Sequence, residues 1–330
     1  MRVFSNKKML SIFAVSLFLL SVLTITIPVS AFPSLTPHAP IHITSNAEFT
    51  PTNGVTRGSG TINDPYVIDK WDIDASTNHG IWIENTDVYF VIRKCYIHDG
   101  GTSFNGIYFN NVQNGKVERS TVGGNFYGIL LWSCSNNVLS SNTVYQSTAS
   151  GILVLGTNNI VIGNTAYENY NGIFVGFSLN NIVIRNKVYH NGCGINLFKT
   201  CWSVLTGNMA YENGCGILLD ESSNNVLTNN KAYKNDNGIS IWGCGNNELR
   251  SNRVYENSHN GINLILASFN KLITNIIMRN GENGIAIKFD SGDNEITLNI
   301  ALKNGEYDLF WDETGTGNVW KMNVYRTKNF

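Results

Sequence analysis

The dipeptide Gly-Ile recurs ten times in near-constant phase, starting at Gly80, Gly106, Gly128, Gly151, Gly172, Gly194, Gly216, Gly238, Gly261 and Gly284. The intervals are 26, 22, 23, 21, 22, 22, 22, 23 and 23 residues. Two further landmarks keep step with it. An Asn pair follows most of the dipeptides, as in Asn136-Asn137, Asn180-Asn181, Asn224-Asn225 and Asn246-Asn247. A tyrosine motif comes next, running Asn164–Asn169 (Asn-Thr-Ala-Tyr-Glu-Asn), Asn186–Asn191, Asn208–Asn213 and Asn230–Asn235. A chain built this way must stack like units along an axis, each unit burying the apolar side of its neighbour.

Each unit of about 22 residues holds three short stretches of alternating apolar residues, separated by Gly/Asn-rich breaks, with no helical periodicity. Three strands per unit make one coil of a solenoid in which each strand pairs with its counterpart in the next coil. The leucine-rich repeat has a similar length, but its Leu-x-x-Leu-x-Leu skeleton and helical half are missing. The sequence therefore predicts an all-β, single-stranded right-handed parallel β-helix of roughly 11–12 coils, about 50–55 Å long at ~4.8 Å per coil. Its inward columns can be read directly. Ile129, Ile152, Ile173 and Ile195 head the first, Leu131, Val154, Val175 and Leu197 the second, and Leu139, Val161, Val183 and Leu205 the next strand. The third strand supplies the smaller Val144, Ala166, Val188 and Ala210. The repeat glycines read as turn residues.

Only 14% of the residues are charged, and 48 asparagines take up much of the polar role. Columns such as Asn142–Asn164–Asn186–Asn208 and Asn169 through Asn304 read as corner residues. Asn tolerates left-handed backbone angles, and stacked amides can bond one another along the axis. Beside the second column, Glu168, His190, Glu212, Lys234, Glu256, Arg279 and Lys303 form a ladder whose signs alternate from Glu168 to Glu256 when His190 is protonated. Such a ladder would help fix coil register.

At the N-terminus, Arg2, Lys7 and Lys8 precede the largely apolar run Met9–Ile27, followed by Val29-Ser30-Ala31. This pattern predicts a signal peptide, residues 1–31, cleaved after Ala31. Left uncleaved, the run is long enough to anchor the chain in a membrane, and no later segment could span one. The remaining boundaries expected are an N-terminal extension at 32–57, the β-helix at 58–325 and a tail at 326–330. Without residues 1–31 the chain carries 20 basic and 24 acidic residues. That balance provides no basic footprint for nucleic acid. The protein is thus expected outside the cytoplasm, secreted or in the cell envelope.

The repeats resemble those of right-handed parallel β-helix proteins, specifically the NosD-like branch of the carbohydrate-binding and sugar-hydrolase group. The lead-in Gly58–Ile68 (Gly-Ser-Gly-Thr-Ile-Asn-Asp-Pro-Tyr-Val-Ile) resembles the segment that opens the helix in that branch, and Gly305–Leu309 with Gly317–Trp320 resembles its closing coils. The resemblance implies an exported protein acting on or binding polysaccharide, with a copper-associated maturation factor also in the branch. It is specific for fold and far less so for function.

Catalytic signatures are sparse. Polygalacturonase-like relatives carry a three-aspartate cluster, and this chain has no Asp-Asp pair. Asp220 and Glu221 are the nearest the sequence comes to catalytic candidates, since glycoside hydrolysis uses two carboxyls; a place in a polar loop is the plainer reading of both, and no catalytic residue is assigned. His190, Cys193 and Cys215 are the metal candidates by ligand type. Cys193 and Cys215 occupy equivalent places in successive coils, so a disulfide between them is also expected. No cofactor is expected, because the glycines serve the repeat and form no phosphate-binding loop.

The outward side of the Gly-Ile strand is selectively apolar. It offers Trp132, Phe198 and Trp242 as rings, with Asn196, Asp220, Ser240 and Asn263 as polar neighbours. A large exposed apolar patch marks an interaction site. These seven residues are the expected ligand site, with polysaccharide as the expected partner and an envelope protein as the alternative. Coverage by residues 32–57, or stacking that merely stabilises the sheet, is the plainer explanation of the same pattern.

Overall fold

The computed structural model describes residues 35–330; the expected signal peptide lies outside the described residues. Among the described residues no helix is long and apolar enough to cross a membrane. Three sheets of 12, 13 and 12 strands run the length of the described chain, parallel throughout except that Val55–Arg57 pairs antiparallel with Tyr66–Asp69, and each coil of the right-handed β-helix donates one strand to each sheet. We term the Gly-Ile strands sheet one, the strands after the Asn pair sheet two and the tyrosine strands sheet three. Register is residue to residue at the repeat spacing: Ile173 pairs with Ile195, Val183 with Leu205 and Val188 with Ala210. The expected inward columns are fully buried as a single core. Each such aliphatic contributes about 1.5–3 kcal/mol.

The repeat glycines do not take up left-handed angles. A Cβ on Gly194 would stand 2.5 Å from the carbonyl oxygen of Gly216 and 3.0 Å from Nδ2 of Asn213. Glycine is needed there because the backbone of the next coil and the asparagine column both press against it.

Turning the chain falls to other residues. At each corner one residue is left-handed and the next is buried. Arg185 has φ 53°, His190 54° and Asn180 57°, while Asn186, Asn191 and Asn181 behind them are buried. The buried asparagines therefore do not bend the chain, contrary to the expectation from composition; they fasten it. Three ladders result, not two, the third beginning at the second residue of the Asn pairs. Asn208 shows the pattern. Its Oδ1 accepts from the backbone N–H and from Nδ2 of Asn186, both at 3.0 Å. Its Nδ2 donates to the Val183 carbonyl at 2.8 Å and to Oδ1 of Asn230 at 2.9 Å. Both donors and both acceptor positions of the amide are satisfied.

The charge ladder occupies the left-handed corner beside the asparagine ladder that runs from Asn169 to Asn304. His190 Nε2 lies 2.8 Å from Glu212 Oε2, and Arg279 lies 3.2 Å from Glu256. Glu168 accepts instead from Gln146 Nε2, at 2.9 Å.

Residues 36–57 and 326–330, set apart from the helix by the sequence reading, close its two ends. Ile41–Ile43 adds a strand to sheet one against Ile81–Ile83, and the ring of Phe49 stacks on Tyr66. At the far end Phe330 packs on Trp320 and Trp311. The carboxylate of Asp308, 1% exposed, terminates the Asn169–Asn304 ladder. Its Oδ1 accepts from the backbone N–H and Nδ2 of Asn304, and its Oδ2 from the backbone N–H of Arg326 and Thr327.

Replacing Asn208 by Leu would strip partners from Asn186, Val183 and Asn230 at once. We expect it to lower stability to urea by about 3 kcal/mol, read by far-ultraviolet circular dichroism; a loss below a few tenths would contradict the ladder's role. Cys193 pairs in register with Cys215, both as thiols. Parallel partners ~4.8 Å apart fall within disulfide reach. Peptide mapping of protein from an oxidising compartment is expected to recover the two as a bridged peptide, and recovery of both as free thiols would reject the bridge.

Candidate functional site

Alternation along a strand sends every second residue of sheet one to solvent. Two outward columns follow from the register. The first runs Trp82, Tyr108, Leu130, Leu153, Phe174, Asn196, Leu218, Ser240, Asn263. The second carries Trp132 and Leu155, then Gly176, Phe198, Asp220, Trp242 and Ile265. Six of the seven expected ligand residues thus lie together on four successive strands, Cys193–Cys201 to Ile262–Ile265. Trp132 stands three strands away, joined to them by Leu155 and Phe174.

Their exposure differs. Trp132 and Trp242 are 50% and 52% exposed. Phe198 is half-buried, with Phe177 edge-on at 5.2 Å and the Lys199 ammonium 5.2 Å above its ring. Asn263 is buried, and the amide oxygens of Asn196 and Asn263 receive no hydrogen bond. The polar side chains of the expected set that this face leaves best placed for solvent are therefore those of Asp220 and Ser240. Burial raises the Asp220 carboxyl above its ordinary range; Glu221 adds to the effect and Lys199 opposes it. Glu221 turns away at the corner, φ 46°, with its carboxylate 3.5 Å from Lys199.

The residues the sequence reading missed lie on the adjoining corner between sheets one and two. Its left-handed position before the buried ladder is Asn114, Asn136, Asn158, Asn180, Asn224 and Asn246 in six coils. In two others it is Trp202 and Phe269, at φ 53° and 60°, with 57% and 56% of their surface in solvent. Phe177, Leu266 and Phe289 occupy left-handed positions just before this corner and are also exposed. A left-handed non-glycine residue is held at about 1–2 kcal/mol above its relaxed state, and Asn tolerates it best. Aromatic rings are the poor choice there for folding, and more than half of each ring's surface stays in solvent. Breaks in the Asn column were the available signal.

A second aromatic group lies at the N-terminal end of the same face. Trp82 stacks between His42 at 3.9 Å and Tyr108 at 5.7 Å, and His42 bonds Glu84 at 2.9 Å. His79 approaches edge-on, its titration lowered by burial and then by His42.

The fold has relatives of known structure. Azotobacter vinelandii mannuronan C-5 epimerase AlgE4 A-module superposes with a TM-score of 0.56 at 14% identity, over 82% of this chain and 87% of that one. The periplasmic alginate epimerase AlgG gives 0.55 at 18% identity, over 89% and 86%. The Dettilon tailspike protein gp208 gives 0.59 at 16% identity, over 78% and 60%. No curated protein matches the sequence at a significant level. Residues 193–330 match the family described as periplasmic copper-binding protein (NosD).

The donor set here does not fit copper. His190 is tied to Glu212, Cys193 is buried beside Cys215, and among the described residues no three His, Cys, Asp or Glu side chains gather as a metal site. The wider family is defined by the coil itself, and here its right-handed β-helix region matches at residues 36–137 and 105–254. With the register, the three sheets and the repeat all agreeing, this chain belongs to the right-handed β-helix family and is NosD-like in its C-terminal half.

Proposed function

We propose that the protein is an exported, non-enzymatic binding protein for polysaccharide, and that the aromatic edge formed by sheet one and its adjoining corner holds the chain. The observation that carries this reading is the placing of Trp202 and Phe269 at left-handed sites given to asparagine in six other coils and to Asp293 and Gly317 in two more, where more than half of each ring's surface stays in solvent. Strain kept against folding preference points to function. Trp132 and Trp242 extend the same edge.

The chemistry suits sugars. Pyranose rings present C–H faces that lie on aromatic rings, and their hydroxyls bond side chains such as Asp220 and Ser240. The raised Asp220 carboxyl beside a half-exposed Trp242 makes a mixed polar and aromatic surface. The epimerases and the tailspike that share the fold support the reading at the level of architecture, and the periplasmic description of NosD and AlgG supports export.

A glycan array probed with the purified protein should return polysaccharide ligands. Trp242→Ala and Trp202→Ala are each expected to weaken retention on a gel containing the strongest of them about five- to tenfold, with oligomeric mass unchanged. Unchanged retention with loss of a dimer would overturn the glycan reading and assign the edge to a protein interface.

A further inference from the structure

The outer side of sheet three carries a feature that the aromatic edge does not use. Tyr145, Tyr167, Tyr189, Tyr211, Tyr233 and Tyr255 stack ring on ring, with successive centroids 5.3, 5.1, 5.1, 5.1 and 5.0 Å apart and planes within 11°. Each ring is half-buried, and both faces of the four inner rings are taken by their neighbours, so edges and hydroxyls are what most of the ladder can offer a partner. Burial is the leading cause that holds Tyr167, Tyr189, Tyr233 and Tyr255 protonated beyond the ordinary phenol range, which keeps their hydroxyls as donors.

Two residues before the tyrosines, the same strands present Lys187, Lys231 and Arg253. All three are exposed, and among the described residues none lies within ion-pair distance of a carboxylate. Lys187 lies over the rings of Tyr189 and Tyr211, at 5.1 and 5.5 Å. The carboxylates nearest in sequence are engaged: Glu168 with Gln146, Glu212 with His190 and Glu256 with Arg279. Where the tyrosines end, a groove of about 360 Å³ opens between Lys231, Arg253, Tyr255, Ile276, Met278 and Arg279.

We propose that this face binds a linear acidic polysaccharide laid along the helix axis, one sugar to a coil. The charge is complementary, and the pitch agrees. A pyranose unit is about as long as one coil is high, so hydroxyl donors ~4.8 Å apart meet successive sugars in register. A single-stranded nucleic acid needs a run of open ring faces on which to stack its bases, and here the faces of the four inner rings are occupied. The surface is separate from the aromatic edge, so either can fail without the other.

The full chain run in native gels containing polygalacturonate is expected to be retarded, and more weakly retarded as salt rises. Dextran should not retard it through this face. The double variant Lys231→Gln/Arg253→Gln should lower the affinity for polygalacturonate about tenfold, and Tyr211→Phe, which keeps the ring stack, about twofold. Trp242→Ala should leave this retention unchanged. Undiminished retention of the double variant would overturn the proposal, as would its loss in Trp242→Ala alone. Equal retention of single-stranded oligo(dT), lost in the same double variant, would also overturn it, in favour of nucleic acid.

Discussion

The structure depends on the hydrogen-bonded asparagine amide. A solenoid of short strands must turn three times per coil, and every turn leaves backbone groups facing inward without a strand partner. An unpaired buried backbone group costs about 1–3 kcal/mol. The amide of a buried asparagine meets this need from inside, taking a backbone N–H from the preceding coil and giving its own N–H to a carbonyl there, as Asn186 and Asn208 do. Because the amides also bond one another from coil to coil, with Ser203 standing in at one place, the corners support one another and the left-handed residues outside are held in place.

That division explains what could be read in the sequence. The apolar columns were legible because inward residues recur at fixed spacing, and no competing pattern shares their phase. The bonding of stacked asparagine amides along the axis was legible from their columns too; the division of labour within the Asn pairs was not, because Asn136 and Asn137 are the same residue type doing opposite things: one bends the chain in solvent, the other is buried and bonded. The glycines misled similarly. Their demand is for space against the next coil, and a one-dimensional sequence shows turns more readily than close approaches. At the candidate site, Trp132 and Trp242 were legible from strand alternation. Trp202 and Phe269 were not, because they sit at corners, where alternation does not apply.

The three sheets have one interior and three different exteriors. Sheet one and its corner carry strained, exposed rings; sheet three carries self-stacked tyrosines with free cations beside them. The core asks only for apolar residues pointing inward, so the outward positions are free to vary by coil without disturbing the register. Irregularity on an otherwise regular surface is therefore where function is best sought in a repeat of this kind.

The asparagine ladders also have a direction. In each, Nδ2–H points toward the next coil and the carbonyl toward the previous one, so the amide dipoles add along the axis and leave a positive pole at the C-terminal end. Asp308 stands at that pole of one ladder, and its charge answers the dipole as an acid does at the start of an α-helix. A carboxylate has lone pairs but no N–H to pass on. The relay of donors stops there, and that ladder presents no template on which a second copy could continue the solenoid.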